Sequence, residues 1–390
     1  MSIKGIGYIV GAYEHPTRKA TDKSISQLHA EVARGALEDA GLTKDDVDGY
    51  FCASDAPGHG PLNMVDYLNL RVRHIDATNT GGSSHMIHVA HAAQAIAAGK
   101  CSVALITLAG RPRSQGHEGG MIPRIDNPLQ ADFQWENPYG ITTLNIYAMV
   151  AMRHMHEFGT TPEQLAWVKV ACSHHAQHNP SAMLRDIVTV EDVVNSPLVS
   201  DPLHRLDCCV ISDGGGALVV TSKDVAKNLS RPLVCLIGAG EAPKGQMAGN
   251  VDLSYSGAAW SGPRAFAEAG VTHQDIKYAS IYDSFTITVV MQIEDLGFCE
   301  KGKGGAFVSD GNLIAGKGKF PINTDGGGLC NNHPMNRGGM TKVIEAVRQL
   351  RGEAHPAVQI PNCDIALAHG TGGGLGTRHG SATLILEREQ

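Results

Sequence analysis

Aromatic residues are scarce in this chain: three tryptophans, eight phenylalanines and nine tyrosines among 390 residues. With many glycines and alanines beside them, they point to helices packed tightly on sheets rather than to a nucleic-acid surface. Basic runs are missing and the net charge is −7, so a phosphate polymer is a poor partner. A local basic loop can still hold one small anion. No apolar run reaches the about 18 residues that a membrane-spanning helix needs. Met1–Tyr13 holds a single lysine and glycine-broken apolar residues, which is not a secretory signal. LEREQ at the C-terminus is not a peroxisomal address, so a cytoplasmic location is expected. The nine cysteines form no CxxC pair and only one adjacent pair, Cys208-Cys209. That pattern implies free thiols and no structural zinc site within the chain.

What is present is alternation. Gly7–Tyr13 reads as a buried strand, and Ser26–Ala40 as an amphipathic helix closed by Gly41. Strand Gly49–Ser54, helix Pro61–Leu70, strand Val72–Ala77, helix Ser84–Ala98 and strand Ser102–Leu108 follow. Such alternation predicts a mostly parallel sheet covered on its faces. The pattern then repeats: AGLTKDDV (Ala40–Val47) returns as AGVTHQDI (Ala269–Ile276), and CSVAL (Cys101–Leu105) as CDIAL (Cys363–Leu367). Two echoes in one order define a duplicated domain, with halves at 1–231 and 232–390. An insertion over about 111–203 opens with the polar loop RPRSQGHEGG and carries helices at Thr142–Phe158 and Pro162–His178. Inserted segments of this length usually cover a site.

Four stretches carry a family resemblance: SDPLHRLDCCVISDGGGALVVTS (Ser200–Ser222), YDSF (Tyr282–Phe285), NTDGGGLCNNHP (Asn323–Pro334) and HGTGGGLG (His369–Gly376). In this order on a duplicated α/β chain they resemble the thiolase superfamily, nearest the sterol-carrier-protein-type thiolases and the bacterial lipid-transfer-protein branch. The resemblance implies a five-layer αβαβα fold, a homodimer and coenzyme A thioester substrates. It also implies a departure. Counting back from Ala92-Ala93-Gln94-Ala95 puts the family's acylated cysteine on Gly82, and its second catalytic cysteine falls on Gly370. His333 stays in its His-Pro motif.

Glycine can neither take an acyl group nor move a proton, so three routes remain open. Ser83 or its neighbour Ser84 could replace the thiol with help from His333 or His369, giving a thiolytic acyltransferase. Alternatively, no covalent intermediate forms and a C–C bond breaks by retro-aldol chemistry. This is the favoured route, with His333 and Tyr282 as acid and base and amides near Gly82 and Gly372 as oxyanion donors. Steroid side-chain aldolases of this superfamily lack the nucleophile and work with a small zinc-ribbon/OB-fold (DUF35) subunit, which the resemblance therefore implies as a partner; they carry a tyrosine in place of His333. The third route is a non-catalytic acyl-CoA carrier. Arg111 and Arg113, with Lys301 and Lys303, are candidates for the CoA phosphates. His85, His88 and His91 do not share one helix face, so no metal is expected there. Histidines 174, 175 and 178 sit at a helix end, where imidazolium suits the dipole.

Overall fold

The computed structural model describes residues 2–116, 129, 142–245, 251–334, 338–376 and 378–389. His117–Gly120 of the expected covering loop lie outside the described residues. The longer helices are α1 (Ile25–Ala40), α2 (Pro61–Leu68), α3 (Ser84–Ala97), α4 (Thr143–Phe158), α5 (Pro162–Ala176), α6 (Ala258–Ala269), α7 (Thr286–Asp295) and α8 (Gly339–Arg351).

The repeated octapeptide is a repeated stop signal. Gly41 ends α1 at φ 71° and Gly270 ends α6 at φ 69°, a left-handed conformation that favours glycine. Thr43 and Thr272 then open a short turn whose third residue, Asp46 or Asp275, accepts a hydrogen bond from the threonine N–H at 2.8 and 2.7 Å. Each turn leads into a strand, β2 (Gly49–Cys52) or β9 (Tyr278–Ile281).

The other strands are β1 (Tyr8–Glu14), β3 (His74–Asp76), β4 (Val103–Gly110), β7 (Gly214–Thr221), β8 (Val234–Lys244), β10 (Ile365–Gly373) and β11 (His379–Arg388), with a small ribbon of β5 (Leu198–Ser200) and β6 (Leu203–His204) apart from them. The nine strands run in the order β3-β2-β4-β7-β1-β8-β11-β10-β9. The halves match strand for strand. β4 lies between parallel β2 and antiparallel β7, while β10 lies between parallel β9 and antiparallel β11.

The expectation of a mostly parallel sheet is corrected: antiparallel ladders outnumber parallel ones. The reason is that the last strand of each half folds back on its predecessor. β11 returns from β10 directly, whereas β7 returns from β4 only after the long insertion.

Five layers result. α1 covers the outer face of the first half and α6 that of the second, while α3 and α8 each touch strands of both halves. This middle layer is apolar: Met86, Val89 and Ala93 of α3 and Met340, Val343 and Val347 of α8 pack with Ile106, Leu218, Ala368 and Leu384 from the two halves. Burying such side chains contributes roughly 1.5–3 kcal/mol each, and it fixes the N-termini of α3 and α8 side by side. In the insertion, α5 starts on a Thr161 cap with Pro162 in its first turn. It packs against a wide turn of π-helical form at Gly327–Asn331.

Candidate active site

The residues singled out by the motifs converge where three helices begin. The Gly81–Ser83 turn runs into α3, Tyr282 lies between β9 and α7, and Gly338 opens α8. Gly82 is pressed into this junction. A Cβ built on it would lie 2.6 Å from Tyr282 Cζ, and closer still to Tyr282 Cε2 and the Thr371 carbonyl. The phenol therefore fills the space that a side chain at residue 82 would need. At Gly370 a built Cβ meets the Met86 sulfur at 2.8 Å and the Gly82 carbonyl at 3.1 Å, so a side chain there would have to displace Met86.

Tyr282 is tightly held. Its backbone N–H donates to the His369 carbonyl at 3.0 Å, and Gln292 Nε2 donates to its carbonyl at 2.9 Å. Beside it, the Asn323 side chain bonds both the N–H and the carbonyl of Ile281 at 2.8 Å, acting as an extra strand neighbour. The Tyr282 hydroxyl lies 2.8 Å from His333 Nε2, and the rings meet edge to face. Burial, with the nearby Cys209 and Tyr147 adding to it, pushes the phenol well above its ordinary range. Burial, helped by the Lys342 ammonium, lowers His333 to about 4. Both rings are thus uncharged near neutrality, and the hydroxyl and the ring nitrogen share one hydrogen bond.

The His333 loop is anchored from both halves. Its backbone N–H donates to Ser212 Oγ at 3.0 Å, which puts the Ser-Asp-Gly motif of the first half to work. Asn332 and Asn331 donate to Glu14, which also pairs with Arg18. Asp283 accepts the N–H groups of Gly328 and Leu329 at 2.8 and 3.2 Å and lies 2.6 Å from Lys342 Nζ. The positive φ values of Gly326 and Gly327, 97° and 61°, allow this tight wrap.

The remaining candidates lie elsewhere or are otherwise engaged. The Ser83 hydroxyl donates to the carbonyl and Oγ1 of Thr80 at 2.9 and 3.0 Å, and Ser84 Oγ accepts the Thr80 N–H at 2.8 Å. Both serines tie down the turn before α3. Ser83 makes no capping bond to the amides of α3. His369 Nδ1 is 2.8 Å from Thr383 Oγ1, which meets Ser261 of α6; burial lowers this imidazole to about 3. Gly372 backs directly onto Gly82, 2.6 Å from its nitrogen to a Cβ built there. Arg111 donates to the Ala20 and Thr21 carbonyls, and Arg113 to that of Arg18. Lys301 pairs with Glu294 and Asp295.

His88 accepts the Thr78 N–H, and His91 pairs with Asp76 at 2.6 Å. Among the described residues no cluster of His, Cys, Asp or Glu is placed to hold a metal. The reading of His175 as a dipole-favoured cation is corrected. Burial lowers it to about 4, and as a neutral ring it accepts the Ala315 N–H and donates to the Asn323 carbonyl.

Residues with no signal of their own complete the site. Lys342 and Tyr147 stand in ordinary helical patterns. Tyr147, from the insertion, stacks on Phe285 at 4.4 Å and donates to the Gly373 carbonyl at 3.4 Å. Cys209 lies within the quoted Cys-Cys motif, but only the fold brings it to Tyr282.

Known proteins resemble the chain over most of its length. Residues 240–388 match the thiolase C-terminal domain-like family. The chain is 34% identical to the steroid side-chain-cleaving aldolase of Thermomonospora curvata, across 90% of this chain and 91% of that one. It is 32% identical to an acetyl-CoA acetyltransferase of Methanothermobacter thermautotrophicus, across 95% and 97%. Among solved structures, an Ltp2-ChsH2(DUF35) aldolase superposes with a TM-score of 0.88 at 31% identity, covering 100% of this chain and 99% of that one. The chain belongs to the thiolase superfamily. Within it, the chain falls on the thiolase-like aldolase branch.

Proposed function

We propose that the protein cleaves β-hydroxyacyl-CoA thioesters by a retro-aldol reaction without an acyl-enzyme. The observation that carries this is the phenol of Tyr282 standing over Gly82. Retro-Claisen thiolysis needs a nucleophile to accept the acyl group, whereas a retro-aldol step needs a base and a hole for the enolate oxygen.

In this reading Tyr282 takes the β-hydroxyl proton as it passes its own to His333 Nε2. The Cα–Cβ bond breaks, leaving a carbonyl product and a thioester enolate, and the proton returns from the imidazolium to Cα. The oxygen of the enolate is met by the amides near Gly82 and Gly372, close to the positive ends of α3 and α8. Arg111 and Arg113 are retained as groups for the CoA phosphates, at the mouth of the covering insertion.

A DUF35-type zinc-ribbon/OB-fold subunit is the proposed partner, on the strength of the solved aldolase that carries one. A homodimer is proposed as well, supported by β3 standing at the sheet edge. Among the described residues no helix is long and apolar enough to cross a membrane; a cytoplasmic location is part of the same reading.

The test is turnover of β-hydroxyacyl-CoA by the purified chain, alone and with a DUF35 subunit. A carbonyl product and a shortened acyl-CoA are expected. Thiolysis of a β-ketoacyl-CoA by free CoA, with an acylated protein seen by intact mass, would overturn it. Binding of CoA esters without turnover in either condition would leave a carrier.

A further inference from the structure

Two buried ammonium groups hold the Gly327–Asn331 turn, one directly and one through Asp283. Lys169 of the insertion helix α5, fully buried, donates to the Leu329 carbonyl at 2.7 Å. Lys342 of α8, equally buried, holds Asp283 at 2.6 Å, and Asp283 receives the Gly328 and Leu329 amides. A Cβ on Gly328 would lie 3.4 Å from His333 Cδ2, so this turn is the wall behind the imidazole. Asp283 also follows Tyr282 directly in sequence, and Lys342 stands three residues after Gly339, whose Cα packs on the Gly82 carbonyl.

We propose that Lys342 is a positioning residue: locked on Asp283, it fixes the turn behind His333, the Tyr282 strand end and the start of α8 as one unit. This inference rests on His333 and Tyr282 being the proton-transfer pair. A buried ion pair is a costly way to hold a fold. Apolar replacements of similar volume are often neutral or stabilising, so the cation here serves geometry and field. The Lys342 ammonium faces Asp283, Asp325 and the Cys172 thiol. It also faces the His333 imidazole, which it helps keep uncharged. Within the turn, the Cys330 thiol faces Lys169.

The test compares Lys342→Met, Lys342→Arg and the double variant Lys342→Met/Asp283→Asn in the full chain. Two readouts are used: kcat and KM for the β-hydroxyacyl-CoA, and the His333 ring titration followed by NMR. Lys342→Met is expected to lower kcat by about 10²-fold with little change in KM, the signature of lost transition-state geometry. It should also move the His333 titration upward, with Lys342→Arg restoring part of both. If Lys342→Met does not fold, the double variant, which removes both members of the pair, is read in the same way. A folded variant with unchanged His333 titration and unchanged kcat overturns the proposal. So does loss of folding in both Met variants alongside a wild-type-like Arg variant, since the pair would then hold the fold alone. If the wild-type chain cleaves no β-hydroxyacyl-CoA, the functional reading fails, while the His333 titration still decides whether Lys342 governs that ring.

Discussion

The ring of Tyr282 occupies the volume into which a side chain at residue 82 would project. The small residue and the large ring share one volume, so the two positions are complementary. Gly82→Ala should therefore lose about 1–3 kcal/mol through overpacking, because the Thr371 carbonyl on the other side belongs to a paired strand. Melting curves check this. Gly82→Cys is expected to show the same loss and no acylated protein by intact mass.

Tyr282→Phe keeps the ring over Gly82 and removes the hydroxyl that meets His333. Its kcat should fall by about 10²–10⁴, the usual worth of a positioned acid–base group. Stability should drop by only about 1 kcal/mol, for one lost hydrogen bond. Parallel kinetics and thermal melts separate the two effects.

Ser83→Ala removes bonds to Thr80 alone. Most of the activity should remain, with a stability loss of about 1 kcal/mol. A complete loss of turnover with a sound fold would revive serine as the nucleophile.

Acid should unfold the protein readily. His175 and His333 are lowered to about 4, and His88, His369 and His379 to about 3, burial being the first cause in each. An unfolded histidine titrates near 6.5, so below that value the unfolded chain binds protons that the folded chain refuses. Stability is then complete above about pH 6.5 and falls as the pH drops toward 4 and 3. Tm should hold from about pH 7.5 to 6.5 and decline from there down to about pH 5. The acid limb of kcat/KM, set by His333, should lie below about pH 5.

Much of this was legible in the chain. Helix stops at Gly41 and Gly270, the paired octapeptides and the ordered motifs gave the duplicated architecture, and the count back singled out Gly82, the residue that Tyr282 covers. Direction was harder. Alternating strands and helices read as parallel, because nothing local to Gly214–Thr221 or His379–Arg388 reveals that each runs back along its neighbour. Side-chain charge was harder still. His175 stands at a helix end, where a cation would be favoured, yet tertiary burial and two backbone partners keep it neutral. Lys342 could not be found at all, since its partner lies 59 positions away on another element and a lysine in a helix usually faces water.

The site draws its glycine turn from the segment before α3, and its phenol and imidazole from beyond β8. A chain cut between β7 and β8 would thus yield two fragments that are each chemically inert. Only their reassociation through the shared helical layer would recreate a working centre, so recovery of turnover on mixing would report docking of the repeats and nothing else.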